Sequence, residues 1–397
     1  MNKGIEITRG KTKVLYEYPG QPDQLIVAQT DGISSGDGAR KNVIAGKGRL
    51  AAQTTARVFR LLNLCGLPTH YQNGGEDDDD NEMVVRRCNM IPLEVVTRGV
   101  AAGSFVKRNP GVQRGALLVP RLIEFFVKDD ANHDPMIAPE QIIAQGIANP
   151  NEVAAMSEMA RLTFDILAHA WRKRDVLLVD LKIEFGRLTG GENKGQLVIA
   201  DVIDNDSWRI WPQGREDLML DKQMYRNLPD VDDEGLARVK DAYERVADLV
   251  GTFPVMRPGM AAVITDHNDR IPRTNDVVTA LAQLGLPTVR HIASPATTPG
   301  YVLQLVQQLE ATFARLLFVA VDENGSLRQM LDAASSAPVM DGNVPPHRLT
   351  MEIAKLLGVE DTVLYGRTLL MQANARSAVI HADAALQQQV PPGVKLG

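Results

Sequence analysis

The stretch Leu177-Leu-Val-Asp-Leu-Lys-Ile-Glu-Phe-Gly186 has the pattern of a β-strand, yet it carries three charged residues where a buried strand normally carries none. Side chains alternate between the two faces of a strand. The face that carries the charges is predicted to consist of Leu178, Asp180, Lys182 and Glu184. The apolar face is predicted to consist of Leu181, Ile183 and Phe185. The pattern therefore predicts a strand that packs on one face and presents charged groups to a cleft on the other.

A second run, Leu197-Val-Ile-Ala-Asp-Val-Ile203, follows a glycine-rich turn and is typical of the return strand of a hairpin. A register that brings Asp201 of this run beside Glu184 would place two carboxylates and a lysine in one cleft. Mg²⁺ binds one or two carboxylates together with substrate phosphate oxygens, so the pair is a candidate magnesium site. The alternative is an exposed sheet face with alternating charges, and the pattern alone favours that alternative.

Length and composition set the class of protein. A chain of 397 residues exceeds the size of one hydrophobic core, so two domains are expected. Charged residues interrupt every apolar run, which predicts neither a signal peptide nor a membrane span. Two cysteines, Cys65 and Cys88, form no disulfide or zinc pattern and favour a cytoplasmic location. The net charge of −6 argues against a dedicated nucleic-acid-binding protein.

Two long stretches carry a resemblance to a known family. Val179-Asp-Leu-Lys-Ile-Glu-Phe-Gly186 and Ile91-Pro-Leu-Glu-Val-Val-Thr-Arg-Gly-Val-Ala-Ala-Gly-Ser104 resemble the signatures of SAICAR synthetases, the phosphoribosylaminoimidazole-succinocarboxamide synthases of purine biosynthesis. Lys128–Pro135 and Ala200–Pro212 resemble especially the animal bifunctional enzyme, in which a carboxylase domain follows the synthetase. The resemblance implies an α+β ATP-binding SAICAR-synthetase fold over residues 1–250.

The resemblance also implies the activity. Such enzymes use ATP to join CAIR and L-aspartate into SAICAR, with ADP and phosphate as products and an acyl phosphate as intermediate. Because catalysis of phosphoryl transfer is mainly positioning and charge neutralisation, it needs Mg²⁺ and lysines rather than a protein nucleophile. The predicted metal ligands are Glu184 and Asp201. The predicted catalytic residues are Lys182, Asp180 and Asp37.

The turn Gly10-Lys-Thr-Lys13 carries two lysines but lacks the spacing of a Walker A loop, and taken alone it is most often a plain hairpin. The resemblance places ATP beneath this hairpin and implies nucleotide contacts from Lys11, Lys13 and Lys128. It also implies substrate contacts from six residues, each of which has a solvated surface position as the alternative. These residues are Glu94, Arg98, Ser104, Arg209, Lys222 and Arg226.

Residues 251–259 break both periodicities and are predicted to be a linker. From residue 260 to residue 385, strands alternate with helices, which predicts a smaller α/β doubly wound, flavodoxin-like domain. Its order resembles the AIR carboxylase domain of the bifunctional enzyme, but its loops depart from that pattern. Thr265-Asp-His-Asn-Asp269 replaces a Gly-Ser-x-Ser-Asp phosphate loop, and Ala296 replaces a catalytic histidine. The domain is therefore predicted to be degenerate, and residues 386–397 to form a mobile tail.

Three functions remain open at this stage. The chain is a ligase with an inert second domain, a bifunctional carboxylase and ligase, or an inactive ATP-binding scaffold. The intact signatures argue against the scaffold, and Ala296 argues against the bifunctional enzyme. The family's carboxylase-like domain builds its oligomer core, so the resemblance implies a homo-oligomer. It implies small-molecule substrates and neither a nucleic acid nor a membrane as partner.

Overall fold

The computed structural model describes residues 1–36, 39–77, 80–129, 132–254, 259–292 and 299–389. The chain forms two compact units, Met1–Val255 and Met256–Gly397, and their boundary falls inside the segment predicted to be a linker. Among the described residues, no helix is both long and apolar enough to cross a membrane.

The first unit combines strands with six helices in its described part. Its strands are β1 (Glu6–Arg9), β2 (Lys13–Glu17), β3 (Gln24–Gln29), β4 (Gly32–Ser35), β5 (Arg40–Val43), β6 (Tyr71–Gly74), β7 (Glu82–Arg86), β8 (Cys88–Val100), β9 (Leu117–Val127), β10 (Met136–Ile137), β11 (Val176–Leu188), β12 (Leu197–Ala200) and β13 (Trp208–Pro212). Its helices are α1 (Lys47–Cys65), α2 (Gly103–Arg108), α3 (Pro139–Ala144), α4 (Pro150–Arg172), α5 (Gln223–Asn227) and α6 (Asp233–Val250).

Two antiparallel sheets position the site. The first sheet has the order β1-β2-β3-β7-β6, and α1 packs on β3, β6 and β7. The second has the order β10-β9-β8-β11-β12, and β13 pairs with the first half of β11. A parallel bridge between Thr69 and Ile199 connects the entrance of β6 to β12. The predicted central strand, β11, is therefore an interior strand of the second sheet.

Helix α4 covers one face of β11, and local sequence signals set its start. The Asn149 side chain accepts a hydrogen bond from the Glu152 backbone N–H (3.0 Å), and the Glu152 carboxylate accepts one from the Asn149 N–H (2.9 Å). Pro150 occupies the first helical position, where its missing N–H costs nothing. The buried side of α4 then packs against β8, β9 and β11.

Two details of the predicted hairpin are corrected by the structure. A register shift between Leu178 and Asp180 leaves an extra residue, Val179, opposite β13. Such a bulge interrupts the alternation, so Leu178 is buried in a different cavity from Asp180. The return strand also ends at Ala200, because Asp201 adopts a left-handed backbone (φ 67°) and leaves the ladder.

The second unit is an α/β domain. Its strands are β14 (Met260–Thr265), β15 (Thr288–Ile292), β16 (Leu316–Val321) and β17 (Val339–Asp341), and its helices are α7 (Ile271–Gln283), α8 (Pro299–Thr312), α9 (Ser326–Ala334), α10 (Pro346–Gly358) and α11 (Thr362–Gln389). The strands form a parallel sheet with the order β15-β14-β16-β17.

Helices cover both faces of this parallel sheet. Residues of α8 and α9 pack against one face of β14 and β16, where Ile264 and Phe318 are buried. Residues of α7 and α10 pack against the other face, where Val263 and Val319 are buried. This arrangement confirms the predicted doubly wound domain.

Candidate active site

The charged face of β11 divides between two cavities of the first unit. Asp180 and Lys182 line a cavity of about 530 Å³, named here the arginine pocket, which is also lined by Glu94, Arg98, Ser104, Arg209, Lys222 and Arg226. Glu184 lines a second cavity of about 240 Å³, named here the lysine pocket, which is also lined by Lys13, Lys128 and Asp201. Two residues of a strand span roughly 6.8 Å. A single strand thus carries charged side chains into both pockets.

A buried ion-pair network forms one wall of the arginine pocket. Arg98, on β8, donates to Asp180 (3.0 Å) and to Glu124 (2.6 Å), and its side chain is 4% exposed. Arg209, on β13, also donates to Asp180, and Arg108 donates to Glu124 (2.6 Å). Asp180 therefore fixes two guanidinium groups beside each other. Removing one member of such a network leaves an uncompensated buried charge, which is strongly destabilising.

A glycine allows Arg209 to reach this position. Gly103, at the start of α2, has a left-handed backbone (φ 54°), and a Cβ built there would lie 2.5–2.9 Å from the Arg209 guanidinium atoms. Real Cβ atoms do not approach other atoms so closely, so any side chain at residue 103 must push Arg209 away. The glycine thus couples the turn before α2 to the orientation of an arginine in the pocket.

The variant Gly103→Ala is expected to raise the KM for the ligand of the arginine pocket by about tenfold, because it displaces Arg209 from Asp180. The matched control is Gly146→Ala, which has a similar backbone (φ 68°) but open space around the new Cβ. Both variants place an alanine in a left-handed backbone. A comparison of their KM values therefore separates the effect of backbone strain from the effect of displacing Arg209. Equal KM changes in the two variants would contradict the proposed role of Gly103.

A second buried cluster closes the far side of the arginine pocket. Asp206 accepts hydrogen bonds from Lys222 (2.6 Å) and Tyr243 (2.6 Å). Burial alone would raise the Asp206 pKa, but the charges of Lys47 and Lys222 outweigh it and lower the pKa to about 2. Burial and the charge of Asp206 together raise the pKa of Asp204. The Lys47 side chain is 1% exposed, and its Nζ lies 5.1 Å from the centroid of the Tyr243 ring.

Two glutamates face each other where the pockets meet. Glu94 on β8 is directly opposite Glu184 on β11, and like charges in that relation repel. Lysines compensate the repulsion, since Lys182 donates to Glu94 and Lys128 donates to Glu184 (2.7 Å). Burial would lower the Lys182 pKa, but the two glutamates outweigh it and raise the pKa.

The lysine pocket has a charged end and an apolar end. At the charged end, Lys13 forms an ion pair with Asp201, and Lys128 pairs with Glu184. The apolar end is lined by Leu15, Leu25, Val27, Val85 and Met90. Burial lowers the pKa of Lys13 to about 8, helped by the charges of Lys128 and Lys182 and opposed by that of Glu184. Such a cavity fits a ligand with an anionic end and a flat apolar end.

The lowered pKa predicts a pH dependence. Lys13 is mostly protonated below about pH 8 and mostly neutral above it, so affinity for the adenine nucleotide that the resemblance implies is expected to fall by up to about tenfold per pH unit above the pKa. Calorimetric titration with ADP at about pH 7 and about pH 9 measures this change. In Lys13→Arg the charge persists, and the affinity is expected to stay flat. The same decrease of affinity with pH in the wild type and in Lys13→Arg would contradict the assignment of the pH dependence to Lys13.

The two carboxylates of the lysine pocket fit a magnesium ion. Mg²⁺ takes one or two carboxylates and completes its shell with water and phosphate oxygens. Glu184 and Asp201 supply this donor set. Each is held by a lysine, so both are placed beside groups that attract phosphate. Across the described ranges, no group of three or more His, Cys, Asp or Glu side chains could hold a metal ion.

Comparison with known proteins identifies the family. The family model described as SAICAR synthetase matches residues 6–244, which is more than half of the chain. The chain belongs to the SAICAR synthetase family. A curated relative, the phosphoribosylaminoimidazole-succinocarboxamide synthase of Chloroflexus aurantiacus, is 55% identical over 253 residues, which cover 64% of this chain and 98% of that protein.

One further relative matches most of the chain, and one solved structure matches the first unit. The bifunctional phosphoribosylaminoimidazole carboxylase/phosphoribosylaminoimidazole succinocarboxamide synthetase of Drosophila melanogaster is 36% identical over 352 residues, which cover 86% of this chain and 80% of that protein. A solved SAICAR synthetase (Type-2) in complex with ADP is 33% identical with a TM-score of 0.54, and the match covers 62% of this chain and 97% of that one. The predicted family and fold are confirmed, and the chain is a ligase of purine biosynthesis with the bifunctional architecture.

Of the fourteen residues predicted for the site, twelve line one of the two pockets. Lys11 is exposed in the turn between β1 and β2, which a hydrogen bond from the Gly10 N–H to the Lys13 carbonyl closes (2.8 Å), and it does not line the lysine pocket. Asp37 lies outside the described residues. The roles of all these residues in the SAICAR synthetase remain predictions.

The sequence analysis did not identify five charged residues and one tyrosine that line or border the arginine pocket. They are Lys47, Arg108, Glu124, Asp204, Asp206 and Tyr243. One signal was present: Asp204-Asn-Asp206 interrupts an apolar stretch near a predicted metal ligand. Lys47 gave no comparable signal, because a lysine at the start of an amphipathic helix is usually solvated.

Proposed function

We propose that the first unit joins CAIR and L-aspartate into SAICAR at the expense of ATP, with the nucleotide in the lysine pocket and CAIR in the arginine pocket. The observation that carries this proposal is the division of β11. Lys182 and Glu184, two residues apart, enter different pockets, so a phosphoryl donor in one pocket lies beside an acceptor in the other. The ADP bound to the 33%-identical SAICAR synthetase supports a nucleotide site in this chain.

The arginine pocket suits a phosphorylated substrate. Arg98 and Arg209 present planar donor groups that match phosphate oxygens, and Ser104 Oγ lies 3.4 Å from Arg98. We assign these three residues to the 5′-phosphate of CAIR. Asp180 orients both arginines and is a positioning residue. Lys222 and Arg226, which also line this pocket, supply the positive charge for the carboxylates of aspartate.

The chemistry explains why both pockets are needed. A carboxylate is a poor acyl donor, because its charge repels nucleophiles and its oxygen leaves badly. A carboxylate oxygen of CAIR attacks the γ-phosphorus of ATP, ADP leaves, and an acyl phosphate forms. The amine of aspartate then attacks the carbonyl carbon, loses a proton, and phosphate departs with the former carboxylate oxygen. Lys182 stands between the pockets and neutralises charge on the oxygen in transfer.

Two lysines and two carboxylates serve the phosphate groups in this proposal. Lys13 and Lys128 hold the phosphates of ATP, and Glu184 and Asp201 hold Mg²⁺. When bound, Mg²⁺ neutralises charge that develops on the phosphate oxygens. Lys11 is a further nucleotide contact only if the turn between β1 and β2 brings its exposed side chain inward. Asp37 keeps its predicted catalytic role.

We propose that the second unit lacks carboxylase activity. The loop after β14, where the carboxylase pattern places a phosphate, carries Asp266, which accepts a hydrogen bond from Arg270 (2.9 Å). Arg270 also donates to Glu323 (2.9 Å) in the loop after β16. The cation at this edge is thus engaged by two carboxylates, whose charge repels phosphate. The position of the missing histidine, Ala296, lies outside the described residues.

The bifunctional enzyme is the second candidate, and the match to the Drosophila protein favours it. One experiment separates the two. Purified protein is given ATP, Mg²⁺ and aspartate, started either from CAIR or from aminoimidazole ribotide plus bicarbonate, against a protein-free control for carboxylation. SAICAR from CAIR alone supports the proposal. SAICAR from both starting materials above the control shows an active carboxylase, and SAICAR from neither refutes the synthetase.

The proposal also covers the oligomeric state of the protein and its location in the cell. We expect a homo-oligomer in which the second unit, residues 260–385, contributes contacts, and a cytoplasmic enzyme without nucleic-acid or membrane partners. The helix α11 continues to Gln389, four residues beyond that predicted domain end. Light scattering on the full-length protein measures the oligomeric state, and a monomer would refute this part of the proposal.

A further inference from the structure

A third cavity of the first unit lies between α4 and the second sheet. Its volume is about 330 Å³, at the lower end of the range for small-molecule sites (about 300–1,000 Å³). We name it the α4 pocket, because Ala168 and Arg172 of α4 line it. It shares no described lining residue with the arginine pocket or the lysine pocket. The α4 pocket is therefore a separate place for a ligand.

The α4 pocket forms where two neighbouring strands separate. The ladder between β8 and β11 ends at the pair of Arg98 and Asp180. Beyond this pair, residues 99–100 of β8 and residues 176–178 of β11 line the α4 pocket instead of pairing with each other. The cavity is thus built by the course of the backbone. A ligand in it would contact the residue that follows Arg98 in the chain.

Most of the wall of the α4 pocket is apolar. Val100, Val176 and Leu178 line it and are at most 4% exposed. Leu117 of β9 also lines it, and this side chain is 69% exposed. Covering such a surface removes apolar area from water, which favours binding of an apolar group. The wall therefore suits a ligand with an apolar body.

One cation of the α4 pocket is Arg121 of β9. A Cβ built on Gly99 would lie 3.3 Å from Arg121 Nη1, so the guanidinium lies beside the backbone of β8. Arg121 Nε donates to Asp165 (3.3 Å), a carboxylate that also accepts from Arg161 (3.0 Å). Within the described residues, Nη1 and Nη2 of Arg121 have no hydrogen-bond partner. These two groups are free to donate to a ligand.

The second cation is Arg172, in the last turn of α4. The helix dipole favours a cation at this end, but among the described residues the Arg172 side chain has neither a hydrogen-bond nor an ion-pair partner. Asp175 is the one acidic residue among the described residues that line the α4 pocket. Two arginines and one aspartate leave the lining with a net positive charge. Guanidinium groups present planar donors that match the oxygens of a phosphate or a carboxylate.

We propose that the α4 pocket binds a small organic anion. Its apolar body lies against Leu117 and Leu178, and its phosphate or carboxylate group lies between Arg121 and Arg172. An inorganic anion lacks the body that the apolar wall favours, and an uncharged apolar molecule leaves both arginines without a partner. The inference does not depend on the reaction proposed above, because it concerns a cavity that the reaction does not use.

The test measures binding of 1-naphthyl phosphate to the full-length protein by calorimetric titration. The wild type is expected to bind it with a Kd below about 1 mM. Inorganic phosphate and 1-naphthalenemethanol, which each lack one half of the probe, should bind at least about tenfold more weakly. In Arg172→Gln the Kd for the probe is expected to rise by about tenfold. Arg172 is exposed, so the variant should fold. No binding by the wild type, or an unchanged Kd in Arg172→Gln, would overturn the proposal.

Three further variants show which cavity holds the probe. Lys173→Gln removes the same charge from the next residue, which does not line the α4 pocket, and should leave the Kd unchanged. Ala168→Phe places a ring in the α4 pocket and should abolish binding. Arg226→Gln alters the arginine pocket and should leave the Kd unchanged. A loss of affinity in Lys173→Gln or Arg226→Gln equal to that in Arg172→Gln would contradict the proposed site, and so would full binding by Ala168→Phe.

Discussion

Replacing Glu184 with glutamine is expected to lower kcat/KM for SAICAR formation by at least about 10²-fold. Glutamine keeps the volume of the side chain but loses the charge that holds Mg²⁺ beside the nucleotide phosphates. The carboxylate is 5% exposed and is paired with Lys128. The fold should persist, because Lys128 is 44% exposed and can turn to solvent when its partner is neutral. Steady-state rates at increasing Mg²⁺ measure the effect.

The matched control for this variant is Glu152→Gln. Glu152 pairs with Arg187, which lies on the same strand, β11, but outside both pockets. This variant removes an ion pair to the strand and should leave the Mg²⁺ dependence unchanged. If Glu184→Gln retains wild-type turnover and the same Mg²⁺ requirement, Glu184 is not a metal ligand.

Replacing Lys182 with methionine is expected to reduce kcat by about 10²–10⁴-fold, with a much smaller change in the KM for ATP. The ammonium group is the cation placed between the two pockets, and it neutralises charge only while the phosphoryl group moves. The variant also leaves Glu94 and Glu184 opposed with one lysine fewer. Some loss of thermal stability is therefore expected alongside the loss of activity.

The double variant Glu94→Gln/Lys182→Met separates these two effects. Neutral glutamine removes the carboxylate that Lys182 compensates, so thermal stability should return towards the wild-type value. Activity should not return, because the cation is still missing. Recovery of kcat in the double variant would mean that Lys182 only balances Glu94 and has no direct role in phosphoryl transfer.

The sequence was most informative where local patterns decide the structure. The alternation in β11 predicted that Asp180, Lys182 and Glu184 face a cleft, and these side chains line cavities, because alternate residues of a strand share a face. In the second unit, the alternation of strands and helices predicted a doubly wound α/β domain, and the structure shows a parallel sheet with helices on both faces.

Other features depend on contacts between distant segments. The bulge at Val179, which moves Leu178 to another cavity, arises from pairing with β13 and has no signal in the strand itself. Asp201 was expected on a strand, yet its left-handed backbone ends β12 and turns the carboxylate towards Lys13. The burial of Lys47 follows from packing against α6, where the Tyr243 ring lies 5.1 Å from its Nζ, and no local pattern encodes this contact.

The measurement that tests the account most directly follows ¹⁸O from the carboxylate of CAIR. In the proposed reaction one carboxylate oxygen attacks ATP and leaves with phosphate, while the other remains in the amide of SAICAR. With both oxygens labelled, mass spectrometry should find one ¹⁸O in each phosphate released and one in each SAICAR formed. Phosphate without label, formed together with SAICAR, would contradict the acyl phosphate and the transfer of a phosphoryl group between the two pockets.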